Sequence, residues 1–316
     1  MRPASFNSEN PVLVIGAAGI DGKGSSRNPL LPGSSVPGEI QFSLGGVGRN
    51  IAENLARLEI PTILVTVLGD DRNAQLVLDT CRDAGIDMSH TLQIKGESTG
   101  GYLALMTPSG DLNVAISDYH LAERITPDVL NSYEDLFADA GIIVIDANIS
   151  RAAMDAIFDI AGRYEIPVCA DPTSVFLAAK LTEFLPRLYM VRPNGTETTA
   201  LCGLSVDNHD VDGALRAARH LVGLGVDVAI ITLGDNGLVY ADSTGGGHIP
   251  AIHTHIVDVT GAGDALTAGV IFGLYNGVPL DEAMRLGVSA ATLTLRRRES
   301  VAPDLSQELL YDELVI

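Results

Sequence analysis

Basic residues are scarce in this chain: 20 lysines and arginines stand against 40 aspartates and glutamates over 316 residues, a formal net charge of −20. A surface of that sign repels polyanions, so nucleic acid is excluded as an expected partner. Cysteine is equally rare. Cys81, Cys169 and Cys202 lie far apart with no CxxC pair, which argues against both a disulfide framework and a zinc site. No apolar run is long enough to span a bilayer, so no membrane association is expected. The first ten residues lack the apolar stretch of a secretory signal, and the protein is expected in the cytoplasm. Also missing are the GxxxxGK[ST] phosphate loop and the HRD and DFG motifs. What remains is a chain with 46% hydrophobic residues, enough to bury a sizeable core, read as a single domain over 1–316.

Strand-like apolar runs at 12–15, 62–68, 142–146, 168–170, 189–191 and 228–233 alternate with helical periodicity at 74–84, 152–164 and 211–224. This pattern predicts an α/β fold, a central and mostly parallel sheet with helices on both faces. Ligands of such sheets sit at the carboxyl ends of strands, so the glycine-rich segment 16–24, directly after the first strand, is expected to be a ligand-binding loop. Two stretches break the alternation. Residues 39–44 place Ile40, Phe42 and Leu44 against Gln41 and Ser43, and 99–116 predicts two strands around the turn 108–111. Together they predict a small antiparallel sheet inserted into the α/β body.

The most informative segment is Asp258-Val259-Thr260-Gly261-Ala262-Gly263-Asp264-Ala265, followed by a small-residue, apolar helix. Gly261, Ala262 and Gly263 leave backbone N–H groups unshielded at a helix N-terminus, where anions are favoured and a phosphate fits. Asp264, in the first helical turn, cannot ligate that anion, because like charges repel. It suits a general base that takes a proton from an alcohol while the N–H groups hold a phosphoryl group. A glycine-rich turn with a capping Asp is the plainer reading.

Four further segments carry similar double readings. Residues 45–58 run from glycines into an amphipathic helix: Gly45 and Gly46 allow a sugar to approach the backbone, and Asn50 can bond hydroxyls, or the glycines simply serve a turn. Asp21 can accept from two vicinal hydroxyls or form a turn. Asn194 and Glu197, three apart at a helix start, can face a hydrated Mg²⁺ or make a capping box. Thr232, Gly234 and Gly237 end a strand, as a nucleotide loop or a hairpin turn. The cluster Arg296-Arg297-Arg298 complements a helix C-terminus. His253 and His255 lack a third ligand and are taken as surface or packing residues.

In this order, over nearly the whole chain, these segments resemble the ribokinase-like (PfkB) carbohydrate and nucleoside kinases: 258–265 the second family signature, 45–58 the first, 194–197 the NxxE motif and 232–237 the nucleotide loop. The resemblance implies a ribokinase-like fold whose β lid, formed by about 36–45 and 90–118, often pairs with a second subunit, so a homodimer is expected. It implies phosphorylation by ATP, with Asp264 as base and Gly261, Ala262 and Gly263 as anion hole. Asp21, Gly45, Gly46 and Asn50 would hold the sugar, and Asn194, Thr232, Gly234 and Gly237 the ATP, with adenine between that loop and 291–295. Glu197 would hold Mg²⁺ through water, and Asp258 is a possible K⁺ ligand. Arg49 before Asn50, together with 100–118 and 171–174, is similar to the pseudouridine-kinase subgroup. Tyr119-His120, Val259 and Glu59 depart from the usual pattern. Kinases of ribose, adenosine, fructose or 2-keto-3-deoxygluconate share the chemical motifs, and a non-catalytic nucleoside sensor would share the pocket.

Overall fold

The structure, a computed structural model, describes residues 8–314. Among them are the strands β1 (Val12–Ile15), β2 (Gly19–Ser26), β3 (Gly38–Gly45), β4 (Thr62–Val65), β5 (Val67–Gly69), β6 (Leu92–Ile94), β7 (Gly101–Met106), β8 (Leu112–Asp118), β9 (Ile142–Asp146), β10 (Val168–Asp171), β11 (Met190–Val191), β12 (Val228–Thr232), β13 (Leu238–Ala241) and β14 (Gly246–Ile249). Eight form the main sheet in the order β14-β13-β12-β11-β10-β9-β1-β4. From β12 to β4 every pairing is parallel; β13 and β14 join antiparallel at one edge.

Burial on both faces explains why β1 and β9 are continuous apolar runs rather than alternating ones. Val12, Val14, Ile142 and Val144 pack under the helices Val47–Arg57, Ala262–Tyr275 and Leu280–Leu295. Leu13, Ile15, Ile143 and Ile145 enter a second core with Arg151–Tyr164 and Val211–Gly223. Helix Ala262–Tyr275 is buried continuously from Asp264 to Tyr275 and lies close against Leu280–Leu295: a methyl group on Gly269 would come 2.7 Å from Leu286 O, and one on Gly273 2.7 Å from Ala283 Cβ. Two of the three arginines are taken up in ion pairs, while Arg298 lines a cavity beside Asp258 and Thr260. Arg296, the C-cap of Leu280–Leu295, bonds Thr254 Oγ1 at 2.6 Å and pairs with Glu313, while Arg297 pairs with Asp304.

The second sheet has the order β3-β2-β7-β8, antiparallel at both edges and parallel between β2 and β7. Here the structure corrects the reading of 16–24 as a loop: from Gly19 onward it is the strand β2, at the centre of the lid. Its glycines hid it. They carry no side chain to show the period of a strand, and they are needed because Phe42, Leu103 and Leu105 lean over Gly22 and Gly24 at 3.1–3.2 Å from where a Cβ would stand. Residues 92–94, inside the expected lid segment, pair instead with β5, and the expected strand 62–68 divides at buried Thr66 into β4 and β5.

Register separates the lid faces. Phe42, Gly22, Leu103 and Ile116 form one row, and Ile40, Gly24, Leu105 and Val114 the next, both outward; Phe42 is 73% exposed. The alternate rows, Asp21 with Ser43 and Tyr102 and Lys23 with Gln41 and Ala104, face the main body.

Candidate active site

At the carboxyl end of β9, buried Asp146 gathers three elements. Its Oδ2 accepts from Ala17 N–H at 2.7 Å and Gly48 N–H at 2.9 Å, and its Oδ1 from Asn148 N–H at 2.9 Å and Nδ2 at 3.0 Å. Burial pushes its pKa up, against those hydrogen bonds. Gly46, at φ 93°, would put a methyl group 2.4 Å from Ala17 O, so only glycine lets the helix Val47–Arg57 start here. That start places Asn50 deep in the site. Its Nδ2 donates to Asp264 Oδ2 at 2.6 Å, and its Oδ1 accepts from Arg49, itself paired with Glu53.

Gly261, at φ 79° and ψ −7°, turns the chain into the helix Ala262–Tyr275; a methyl group there would lie 1.8 Å from Ser300 O. No side chain caps this helix, and its first hydrogen bond runs from Ala265 N–H to Gly261 O at 2.9 Å. Before it, Ala262 N–H reaches Val259 O only at 3.4 Å, which leaves this end of the helix short of partners and suited to an anion. Asp264 is buried and its pKa is pushed up to about 7, first by burial and then by the charge of Asp171; Arg192 and Asn50 oppose the shift.

Arg192 is the residue that sequence reasoning missed. Its guanidinium is buried, pairs with Asp171, donates from Nε to Thr267 Oγ1 at 3.0 Å and lies 4.0 Å from Asp264 Oδ1. Burial works against its charge, but the carboxylates of Asp171 and Asp264 hold it protonated. It also explains Gly263, where a methyl group would lie 2.7 Å from Arg192 Nη1. The available signal was position: Asp171 and Arg192 each stand at the carboxyl end of a buried strand, where a charge needs a reason.

Two cavities flank the 258–264 turn. One, of about 300 Å³, lies under the inner lid face against Asp258 and Thr260 and contains Asp21, Gln41, Ser43 and Tyr102. Tyr119 Oη donates to Asp21 Oδ1 at 3.2 Å, and burial raises the pKa of this carboxyl. A methyl group on Gly45 would overlap the same carboxylate, 2.0 Å from Oδ1.

The other cavity, of about 530 Å³, brings together Asn194, Thr232, Gly234, Gly237, Ala262 and Gly263, with Ala291 and Leu295 on its wall. The hairpin reading of 232–237 also holds: β12 and β13 are antiparallel neighbours, and Leu233 N–H donates to Gly237 O at 2.7 Å. So does the capping box, with Asn194 Oδ1 accepting from Glu197 N–H and Glu197 Oε2 from Asn194 N–H, both at 2.9 Å. His253 lines this cavity, and among the described residues no cluster of three His, Cys, Asp or Glu could hold a metal ion.

Residues 10–307 match the profile of the pfkB family carbohydrate kinases. The chain belongs to this family. Pseudouridine kinase of Escherichia coli (strain K12) is 34% identical to it over 296 residues, 93% of either chain. Guanosine-inosine kinase of Exiguobacterium acetylicum is 28% identical over 308 residues, 95% of this chain and 99% of the relative. The solved ribokinase of Arabidopsis thaliana, complexed with ribose and ATP, superposes with a TM-score of 0.85 at 22% identity, over 97% of this chain and 99% of that one, a likeness of fold.

In this pfkB kinase the ribokinase-like architecture sets a buried carboxyl, an uncapped helix N-terminus and two cavities at one turn. Among the described residues no helix is long and apolar enough to cross a membrane. The two cation sites that the family resemblance implies fare differently. Glu197 has Oε2 committed to its cap, which leaves Oε1 for the water shell of a Mg²⁺ ion. Asp258 accepts from Thr260 N–H at 2.9 Å and Thr260 Oγ1 at 2.7 Å, and its other oxygen is taken by the ammonium of Lys23. That set does not suit a K⁺ ion.

Proposed function

We propose that this kinase, acting in the cytoplasm, transfers the γ-phosphoryl group of ATP to the 5′-hydroxyl of a ribonucleoside, with pseudouridine the preferred acceptor. The observation that carries the transfer is Asp264: a buried carboxyl with a pKa near 7, at an uncapped helix N-terminus between two cavities. Asp264 takes the hydroxyl proton as the oxygen attacks phosphorus, and ADP leaves into the larger cavity. Gly261, Ala262 and Gly263 hold the transferred oxygens through N–H groups. Asn50 turns its amide from Asp264 to the sugar. Asp21 takes the vicinal hydroxyls, which Gly45 and Gly46 allow to come close. Asn194, Thr232, Gly234 and Gly237 hold the ATP. Bound Mg²⁺, facing Glu197 through water, would neutralise phosphate charge. A non-catalytic sensor would have no use for Asp264, Gly261 and Gly263 kept together at the helix start.

The choice of pseudouridine is supported by the 34% identity to a pseudouridine kinase and by the polar inner face of the lid. Pseudouridine is joined to ribose through C5 of its base and so presents a ring N–H, at N1, that uridine lacks. Gln41 Nε2 donates to Glu39 at 2.8 Å, so its carbonyl oxygen is left as an acceptor at the smaller cavity. A pocket built to pair with such a donor rejects an analogue lacking it by up to about 10⁴-fold, since its own acceptor would be left unpaired. In competition at equal concentration, pseudouridine 5′-phosphate should be the main product, and chelation of Mg²⁺ should stop turnover. Preference for uridine, guanosine, adenosine, ribose, fructose or 2-keto-3-deoxygluconate would move the assignment elsewhere within the family.

The outward lid rows around Phe42 and Ile116 fit a second copy of the chain, as a homodimer through the lid. Light scattering should give twice the chain mass of 33.2 kDa, and a monomer at micromolar concentration would remove this association.

A further inference from the structure

One ion pair joins the lid to the 258–264 turn. Lys23, in the row of β2 next to Asp21, brings Nζ onto Asp258 Oδ2 and to 3.2 Å from Thr260 Oγ1. The partners are 26% and 15% exposed, so solvent and salt screen them less than a surface pair. Asp258 is further held from behind, where Val257 N–H donates to Leu295 O at 2.8 Å and Asp258 N–H follows at 3.4 Å.

This carboxylate stands three residues before Gly261, on the turn whose N–H groups await phosphoryl oxygens. Left alone, its charge would oppose the approach of another anion. A cation on it removes that opposition. An ammonium group supplies the same single charge as a monovalent metal ion, with three donors for the oxygens around it. Lys23 is attached to the chain, so its effective concentration at Asp258 is high whatever the salt.

We propose that Lys23 is the resident monovalent cation of this turn, so that turnover by this kinase needs no potassium. The proposal rests on Gly261–Gly263 being the phosphoryl-binding segment. Because Lys23 belongs to a lid strand, its charge reaches the turn only with the lid in place, and the sheet that holds the sugar also completes the electrostatics of transfer. Lys23 acts through Asp258 and is a positioning residue.

The test is a KCl titration of the full-length kinase at constant ionic strength, made up with a bulky organic cation, using ATP, Mg²⁺ and the acceptor turned over fastest. The rate of the natural protein should change by less than about twofold. Lys23→Met should lose about tenfold or more without K⁺, as an uncompensated, partly buried charge does, and regain activity with saturable K⁺ dependence. Lys23→Met combined with Asp258→Asn carries neither charge; it should fold if the single variant does not, and should be insensitive to K⁺. Strong activation of the natural protein by K⁺, or a folded Lys23→Met enzyme with no K⁺ response, would overturn the proposal. Failure of the underlying assignment would show differently, as an Asp264→Asn enzyme that still turns over.

Discussion

Asp264→Asn is expected to bind ATP and nucleoside nearly as well as the natural kinase while its kcat falls by about 10²- to 10⁴-fold, the range for loss of a general base. The substitution is close to isosteric. An asparagine amide oxygen can still accept from Asn50 Nδ2, which lies 2.6 Å from the carboxylate, and Arg192 keeps its pairing with Asp171. Only the proton acceptor is removed. The natural enzyme should show the matching pH dependence. With the pKa of Asp264 raised to about 7, the basic form dominates above that pH and is lost below it. The rate should therefore fall about tenfold per unit on the acid side. The variant should lack this limb, and comparable turnover in the two proteins would take Asp264 out of its role.

Arg192→Met should have the largest effect on stability. The guanidinium is buried between Asp171 and Asp264, and methionine leaves two carboxyls facing each other without a cation. Breaking a buried ion pair from one side costs about 3–5 kcal/mol, which urea unfolding would register as a lower midpoint. The acid limb should also move to higher pH, because the positive charge that lowers the pKa of Asp264 is gone. Lysine is a poor substitute, as it lacks the planar fork that reaches Asp171 and Thr267 together. Adding Asp171→Asn to Arg192→Met should recover part of the loss. Unfolding within about 1 kcal/mol of the natural protein would show the pair to be dispensable.

What the sequence disclosed, and what it withheld, divides along physical lines. Strand 142–146 was legible because burial on both sheet faces demands an unbroken apolar run, and the structure places β9 on the same residues. The turn at 258–265 was legible because free N–H groups require small residues in succession. Strand β2 was not, since glycines at 19, 22 and 24 erase the side-chain alternation by which strands are recognised. Nor was the commitment of Asn50 to Asp264, 214 positions away, or of Lys23 to Asp258, 235 positions away. Such pairs leave no local pattern; only the folded topology brings them together. Asp146 was visible as a strand end and Asp171 as part of the 171–174 block, but their work, organising N–H groups in one case and sharing a guanidinium in the other, is purely three-dimensional.

Gly45 shows what this means for the routes open to such a protein in sequence space. A side chain at 45 would occupy the place of the Asp21 carboxylate, on the neighbouring strand, and would turn it from the Tyr119 hydroxyl. Positions 21 and 45 therefore behave as one locus with two addresses. A change at either, made singly, removes the same oriented carboxylate, because the glycine makes room for the acid. A descendant would have to give up the acid at 21 before it could gain a side chain at 45, and that order of events is written into the spacing of two strands.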